Sequence, residues 1–458
     1  MKRILPLLLL HCFLLNAACA QTEPGVSVTI PSSILNETRK IQVYSPATSK
    51  TTKLTYPVMY VFDGESLYWP AIGALRFMNY SSSLPQMPEA IVVSISNTKR
   101  DRDMPVPQEI TKTGGAKNFL RFLSEELLPY INKNYPVNGL NVLIGHSQGG
   151  LFVTYAGLEK SSLFPFILAL DVPVTVNPAV LKDYQQRIGK TCDLNYFSGE
   201  TLYGWGNDFS KPAGCNSYLQ KRIEDETHET MPYKGIYEGL KFLFREHIPQ
   251  QKDMPLPVMQ AYYESLSKKY NCTYSIPAAL LLGSASQKIN VSKKDEALAL
   301  IEYYEKFYGA GQRSASLMAR ANAITKGPDE RIDFYLNHPG SGAEALKPFM
   351  GKWKGTLYVP GGMDTDIVWE IKKVNDKYIM DARIMDQFNS RSDFLLVTEK
   401  NELAWGRKHN SGGIYLSIGK LSADGQVLTG TEDLVGFQMP EGFPPFKLNS
   451  FEFKKVKE

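Results

Sequence analysis

Cysteine and histidine are the scarce residues of this chain, five and six in 458 positions. Cys12 and Cys19 fall in an apolar leader, which leaves Cys192, Cys215 and Cys272 for the rest. That is too few for a disulfide-built scaffold, and no Cys/His spacing has the form of a zinc site. No metal and no cofactor is therefore expected. An oxidising compartment permits a Cys192–Cys215 bridge across a short Gly-rich loop, the competing reading being separately buried thiols. An excess of charge of either sign is also missing. The net charge is +4, and +2 without Lys2 and Arg3 of the leader, so there is no electrostatic footprint for nucleic acid. Nor is there a long apolar run: residues 4–15 are too few to span a bilayer, and no later segment is longer and as apolar. The hydrophobic (43%) and charged (21%) fractions are those of ordinary globular protein, which argues against disordered and fibrous classes.

What is present begins with export. Lys2 and Arg3, the apolar stretch 4–15 and Ala18-Cys19-Ala20 before Gln21 read as a cleavable signal peptide over residues 1–20. The expected location is periplasmic or secreted, with a lipoprotein left open by Cys19.

From about residue 39 to 244 strands alternate with helices. Ile41-Gln42-Val43-Tyr44 is a short strand, and Val58-Met59-Tyr60-Val61-Phe62, closed by Asp63-Gly64, reads as a strand buried on both faces. Further strands are expected at 90–95, 141–144, 164–170 and 219–224, with a helical stripe over 119–134. Such alternation specifies a mostly parallel sheet covered on both faces. After 248 the pattern turns helical to about 345, clearest over 294–304, in the manner of a degenerate tetratricopeptide-like pair. From 346 short strands with turns at Asn375-Asp376 and Ala423-Asp424-Gly425 predict an antiparallel β-barrel or sandwich. The expected domains are thus 21–248, 249–345 and 346–458.

The chemistry is concentrated in Gly145-His146-Ser147-Gln148-Gly149-Gly150, which follows the strand 141–144 and precedes a helix. This is a nucleophile elbow: the chain reverses sharply at a serine, and the flanking glycines leave room for the close approach. The free amides of the following helix N-terminus favour a developing oxyanion. A serine hydroxyl needs a base. Of the six histidines, His11 lies in the leader. His146 is inside the elbow, with its side chain expected to point away from the serine. His338 and His409 belong to the later modules, and His247 lies beyond the final helix expected at 235–244. His228, between the last expected strand and that helix, is the expected base.

Four segments resemble the putative-esterase family of α/β-hydrolases: Val61-Phe62-Asp63-Gly64-Glu65, Asn97-Thr98-Lys99-Arg100-Asp101-Arg102-Asp103, the elbow, and Glu226-Thr227-His228-Glu229 with Tyr237-Glu238-Gly239-Leu240-Lys241-Phe242-Leu243. The family includes S-formylglutathione hydrolases, feruloyl esterases, siderophore esterases and mycolyltransferases, and the resemblance covers residues 30–245. It implies an α/β-hydrolase fold, ester hydrolysis through an acyl-enzyme, and an oxyanion hole from the amides of Gln148 and Glu65. Arg100 and Arg102 match a charged stretch near the active-site rim, available to bind a substrate carboxylate or to pair with acidic neighbours. The triad acid is expected at Glu200, which follows a strand and a glycine, with Asp171 and Asp208 as rivals. Gly351-Lys352-Trp353 resembles the opening of lipocalin-like barrels. The expected substrate is a small-molecule or glycan-linked ester, a siderophore lactone or polysaccharide ester fitting an exported enzyme. The competing readings are a non-catalytic binding protein that works through its C-terminal β domain, and an acyltransferase.

Overall fold

The computed structural model describes residues 24–80, 84–106, 115–173, 186–187, 194–201, 217–250, 254–325, 327, 329–360, 362–385, 388–409, 413–436 and 448–456. Cys192, Cys215, Asp208 and the leader lie outside them. The chain forms two compact units, one of residues 1–250 with 261–277, the other of 251–260 with 278–458. No helix among the described residues is long and apolar enough to cross a membrane.

The first unit is built on eight strands: β1 (Val26–Ser32), β2 (Glu37–Tyr44), β3 (Tyr56–Phe62), β4 (Ile91–Ile95), β5 (Val137–His146), β6 (Phe166–Leu170), β7 (Asn195–Glu200) and β8 (Tyr218–Arg222). Their order is β1-β2-β4-β3-β5-β6-β7-β8. β1, β2 and β4 pair antiparallel, whereas the run from β4 to β8 is parallel. Every residue of β3, β4 and β6 is buried, as central parallel strands covered on both faces require. Helices α1 (Gly64–Tyr80) and α3 (Met231–Leu243) pack together on one face. On the other lie α2 (Gln148–Glu159) and a helical stretch over 116–134. There Phe62, Phe119 and Phe152 meet with ring centroids 5.0–5.8 Å apart, each burial being worth about 1.5–3 kcal/mol. The sequence expectation of a mostly parallel sheet with helices holds.

The second unit pairs helices with an antiparallel sheet. Helices α4 (Ala278–Asn290), α5 (Lys294–Tyr308) and α6 (Gln312–Asn322) pack on one another and are followed by α7 (Glu330–Asn337). The strands are β9 (Lys352–Tyr358), β10 (Thr365–Val374), β11 (Lys377–Ile384), β12 (Phe388–Arg391), β13 (Phe394–Val397), β14 (Leu403–Lys408), β15 (Ile414–Leu421), β16 (Val427–Val435) and β17 (Asn449–Lys455). Their order, β12-β11-β10-β9-β17-β16-β15-β14-β13, is a curled half-barrel whose end strands share no ladder among the described residues. Period-two alternation gives the sheet two apolar faces. Phe394, Leu396, Ile414, Leu416 and Val435 point to one side and meet Val291, Ile332 and Tyr335 of the helical part. The concave side carries Trp353, Trp369, Leu403, Phe451 and Phe453. Trp353 is fully buried, donates to the Phe349 carbonyl at 2.9 Å and stacks on Trp369 at 5.3 Å.

Candidate active site

Three backbone turns make the site, each at the carboxyl end of a neighbouring parallel strand, and each with a non-glycine residue in the left-handed region. Asp63 follows β3 (φ 50°), Ser147 follows β5 (φ 55°) and Asp171 follows β6 (φ 42°). Such conformations cost of order 1–3 kcal/mol apiece and persist where the surroundings over-determine them. The Ser147 amide donates to the Leu170 carbonyl at 2.8 Å, and the Leu151 amide returns to the Ser147 carbonyl at 3.1 Å. This locks the serine between the end of β5 and the start of α2. The glycines follow from contact distances. A Cβ on Gly145 would stand 2.2 Å from the Gly149 carbonyl oxygen, and one on Gly149 would stand 2.9 Å from Asp63 Oδ2.

His228 sits on the loop between β8 and α3, in a tight turn where the Thr227 amide donates to Thr230 Oγ1 at 2.9 Å. Its Nδ1 is 2.7 Å from Asp171 Oδ2. Asp171 is buried, at 1% exposure, and also accepts from the Thr201 amide (2.9 Å) and Thr201 Oγ1 (2.7 Å). A buried carboxylate held by three donors is fixed in orientation, and through the Nδ1 bond it fixes the histidine.

The structure thus sets Asp171 against His228 where Glu200 was the expected partner. Glu200 Oε1 accepts from Gln220 (2.7 Å) and Ser198 (3.1 Å) instead, and burial raises its pKa above the ordinary carboxylate value. Glu200 lies within β7, so its side chain shares a sheet face with Ser198 two residues earlier and with the neighbouring strand β8.

His146 does not stand apart from the site. Its ring centroid is 4.4 Å from that of His228, the planes tilted by 41°. Burial, and next the proximity of His228, lower its pKa, so it is held neutral. Sequence reasoning set it aside, although its place inside the elbow was the available signal. Ring nitrogens of His146 and His228 and an Asp171 oxygen lie within 4.8 Å of one another. These are metal-ligating types, but the carboxylate is already engaged by His228 and Thr201, while His146 Nε2 has no hydrogen-bond partner.

The amides of Gln148 and Glu65 each lie in the first turn of a helix, α2 and α1, where backbone donors have no intrahelical partner. The Glu65 side chain accepts from the Asn97 amide at 2.7 Å. Arg100 joins the two loops. It donates to Asp63 Oδ1 (2.7 Å) and Oδ2 (3.1 Å), to Gln148 Oε1 (3.1 Å) and to the His146 carbonyl (3.4 Å). Arg102 instead grips Glu37 through two bonds of 2.8 and 2.7 Å and reaches Asp103 at 2.6 Å, beside buried Arg39, which also pairs with Asp103. Both arginines are engaged by carboxylates of the protein itself.

A serine at a strained strand-to-helix turn, a histidine between the last strand and last helix, and this strand order define the α/β-hydrolase class. Residues 32–213 match the model of the family described as "Putative esterase". The chain is 29% identical over 185 residues to the ferri-bacillibactin esterase BesA of Bacillus subtilis, covering 36% of this chain and 64% of that protein. It is 27% identical over 136 residues to the uncharacterized protein YbbA of the same organism, covering 28% of this chain and 53% of that one. The chain therefore spans less than two thirds of the length of either relative. Among solved structures, an IroE-like serine hydrolase from Shewanella oneidensis is similar over 65% of this chain and 98% of its own, with 23% identity and a TM-score of 0.49.

Proposed function

We propose that the chain is an exported serine hydrolase of carboxylic esters, acting through Ser147, His228 and Asp171 and a covalent acyl-enzyme. The observation that carries this reading is the 2.7 Å bond from His228 to a buried carboxylate beside the elbow. With Nδ1–H donated to Asp171, the lone pair of His228 Nε2 is left to take the proton of the Ser147 hydroxyl. The serine oxygen attacks the ester carbonyl carbon, and the oxyanion that forms faces the amides of Gln148 and Glu65. One such donor is worth about 3 kcal/mol at the transition state. The imidazolium returns its proton to the departing alkoxide. Water, deprotonated by the same histidine, then releases the acid and restores the serine. The substrate is a small-molecule ester. Similarity to an esterase described as acting on ferri-bacillibactin favours a siderophore ester over a polysaccharide one.

The test is hydrolysis of a p-nitrophenyl acyl series by the full mature chain beside its Ser147→Ala variant. Activity that vanishes in the variant, together with fluorophosphonate labelling of Ser147, is expected. An inert wild-type chain that also resists labelling would sink the enzyme reading. Arg100 acts through the loops it joins. Arg100→Ala is expected to lower kcat roughly tenfold or more with little change in KM, and Arg100→Lys to restore little, because an ammonium cannot reproduce the planar fork on Asp63. Steady-state kinetics on one small ester, with thermal midpoints to check folding, distinguish this from a substrate-binding role. In that role KM would carry the loss.

A further inference from the structure

The concave face of the C-terminal sheet lines a half-open cavity of about 290 Å³. Its apolar wall is largely aromatic. Trp369 lies between Trp405 at 6.0 Å and Phe453 at 5.8 Å, and Phe451 is 5.1 Å from Trp405. Gly419 and Gly430 make room for the Phe451 ring, which Cβ atoms there would meet at 3.1 and 2.5 Å. One charged group stands out among the lining residues. Arg407 has its guanidinium 5.0 Å above the Tyr415 ring and 3.4 Å from Ser390 Oγ. No carboxylate ion-pairs with it among the described residues. The acidic group of the lining, Glu432, has both oxygens engaged, by Ser417 (3.2 Å) and Asn449 (3.1 Å).

We propose that this cavity is a binding site for a small aromatic carboxylate, its ring against Trp405 and Phe451 and its anionic end on Arg407. The volume lies at the lower edge of the range for ligand pockets, so one ring or two is the right size. An aliphatic acid of the same bulk would forfeit the ring-to-ring contact, worth about 0.5–1.5 kcal/mol. A neutral amide would forfeit the charge-assisted bond. Residues of the hydrolase site take no part, and the proposal stands whether or not the chain cleaves esters.

The experiment is titration of the full mature chain with benzoate, followed by calorimetry and by tryptophan emission, beside benzamide and cyclohexanecarboxylate. Saturable benzoate binding is expected, with benzamide at least tenfold weaker and cyclohexanecarboxylate several-fold weaker. Arg407→Gln, an exposed substitution that leaves the core intact, is expected to weaken benzoate about tenfold without moving the thermal midpoint. No saturation at millimolar benzoate, equal affinity for benzamide, or indifference to Arg407→Gln would each overturn the proposal.

Discussion

Asp171→Asn is expected to lower kcat/KM for a small ester about ten-thousand-fold, while Glu200→Gln stays within a few-fold of wild type. The first figure follows from the role proposed for the carboxylate. In that role it selects the His228 tautomer whose Nε2 is free to accept a proton, and it stabilises the imidazolium formed when Ser147 is deprotonated. An asparagine amide at the same place presents either an N–H to Nδ1, which reverses the tautomer, or a carbonyl without charge. The bonds from Thr201 to Oδ1 and Oδ2 hold the group in position, so the change is chemical rather than structural. Glu200 bonds to Gln220 and Ser198 in the sheet, and its neutral isostere keeps both contacts. Steady-state kinetics of the two variants, with circular dichroism to verify folding, decide the assignment. A large loss in Glu200→Gln with a small one in Asp171→Asn would reverse it.

Why the proposed acid was harder to read than the proposed nucleophile is a matter of range. Ser147 announces itself through a local string, in which a Cβ on Gly145 would already collide with the Gly149 carbonyl four residues on. The acid is defined by a contact with His228, 57 residues along, and by the direction of one side chain at a strand end. Glu200 and Asp171 both follow apolar strand text. Glu200, still in β7, alternates with its neighbours and faces β8, whereas Asp171 is past β6 with φ 42° and turns out of the sheet. Nothing local in the sequence marks that turn as left-handed. The charged run 100–103 was ambiguous for the same reason: its partners Asp63, Glu37 and Gln148 come from three distant segments. In the second half the helical and β texts were legible one by one, but their union was not. Phe394, Leu396, Ile414 and Leu416 make an apolar outer face that a free-standing barrel would expose. Val291, Ile332 and Tyr335 cover it, so the helical and β segments form one unit.

His247 predicts the acid sensitivity of the first unit. It is 2% exposed, neither ring nitrogen has a hydrogen-bond partner, and burial lowers its pKa to about 3. Its neighbours are apolar or phenolic: the Tyr274 ring is 5.8 Å away, and Tyr263 donates to the His247 carbonyl at 2.7 Å. In the unfolded chain the same imidazole titrates near its ordinary value, about 6.5. Between those two values the unfolded state binds a proton that the folded state refuses. Stability is therefore complete above about pH 6.5 and falls as the pH is lowered toward 3, by up to about 1.4 kcal/mol per unit. From pH 7 to pH 5 the loss from this one residue is about 2 kcal/mol. His146, its pKa lowered by burial and by His228, adds to it in the same direction. His247→Phe keeps an aromatic ring against Tyr274 and removes the titrating group. Its urea midpoint is expected to change distinctly less between pH 7 and pH 5 than that of the wild type, when the first unit is followed by hydrogen exchange at the amides of β3 and β5. An equal shift in both proteins would mean that the acid sensitivity originates elsewhere. A midpoint that rises on acidification would contradict a neutral buried His247 altogether.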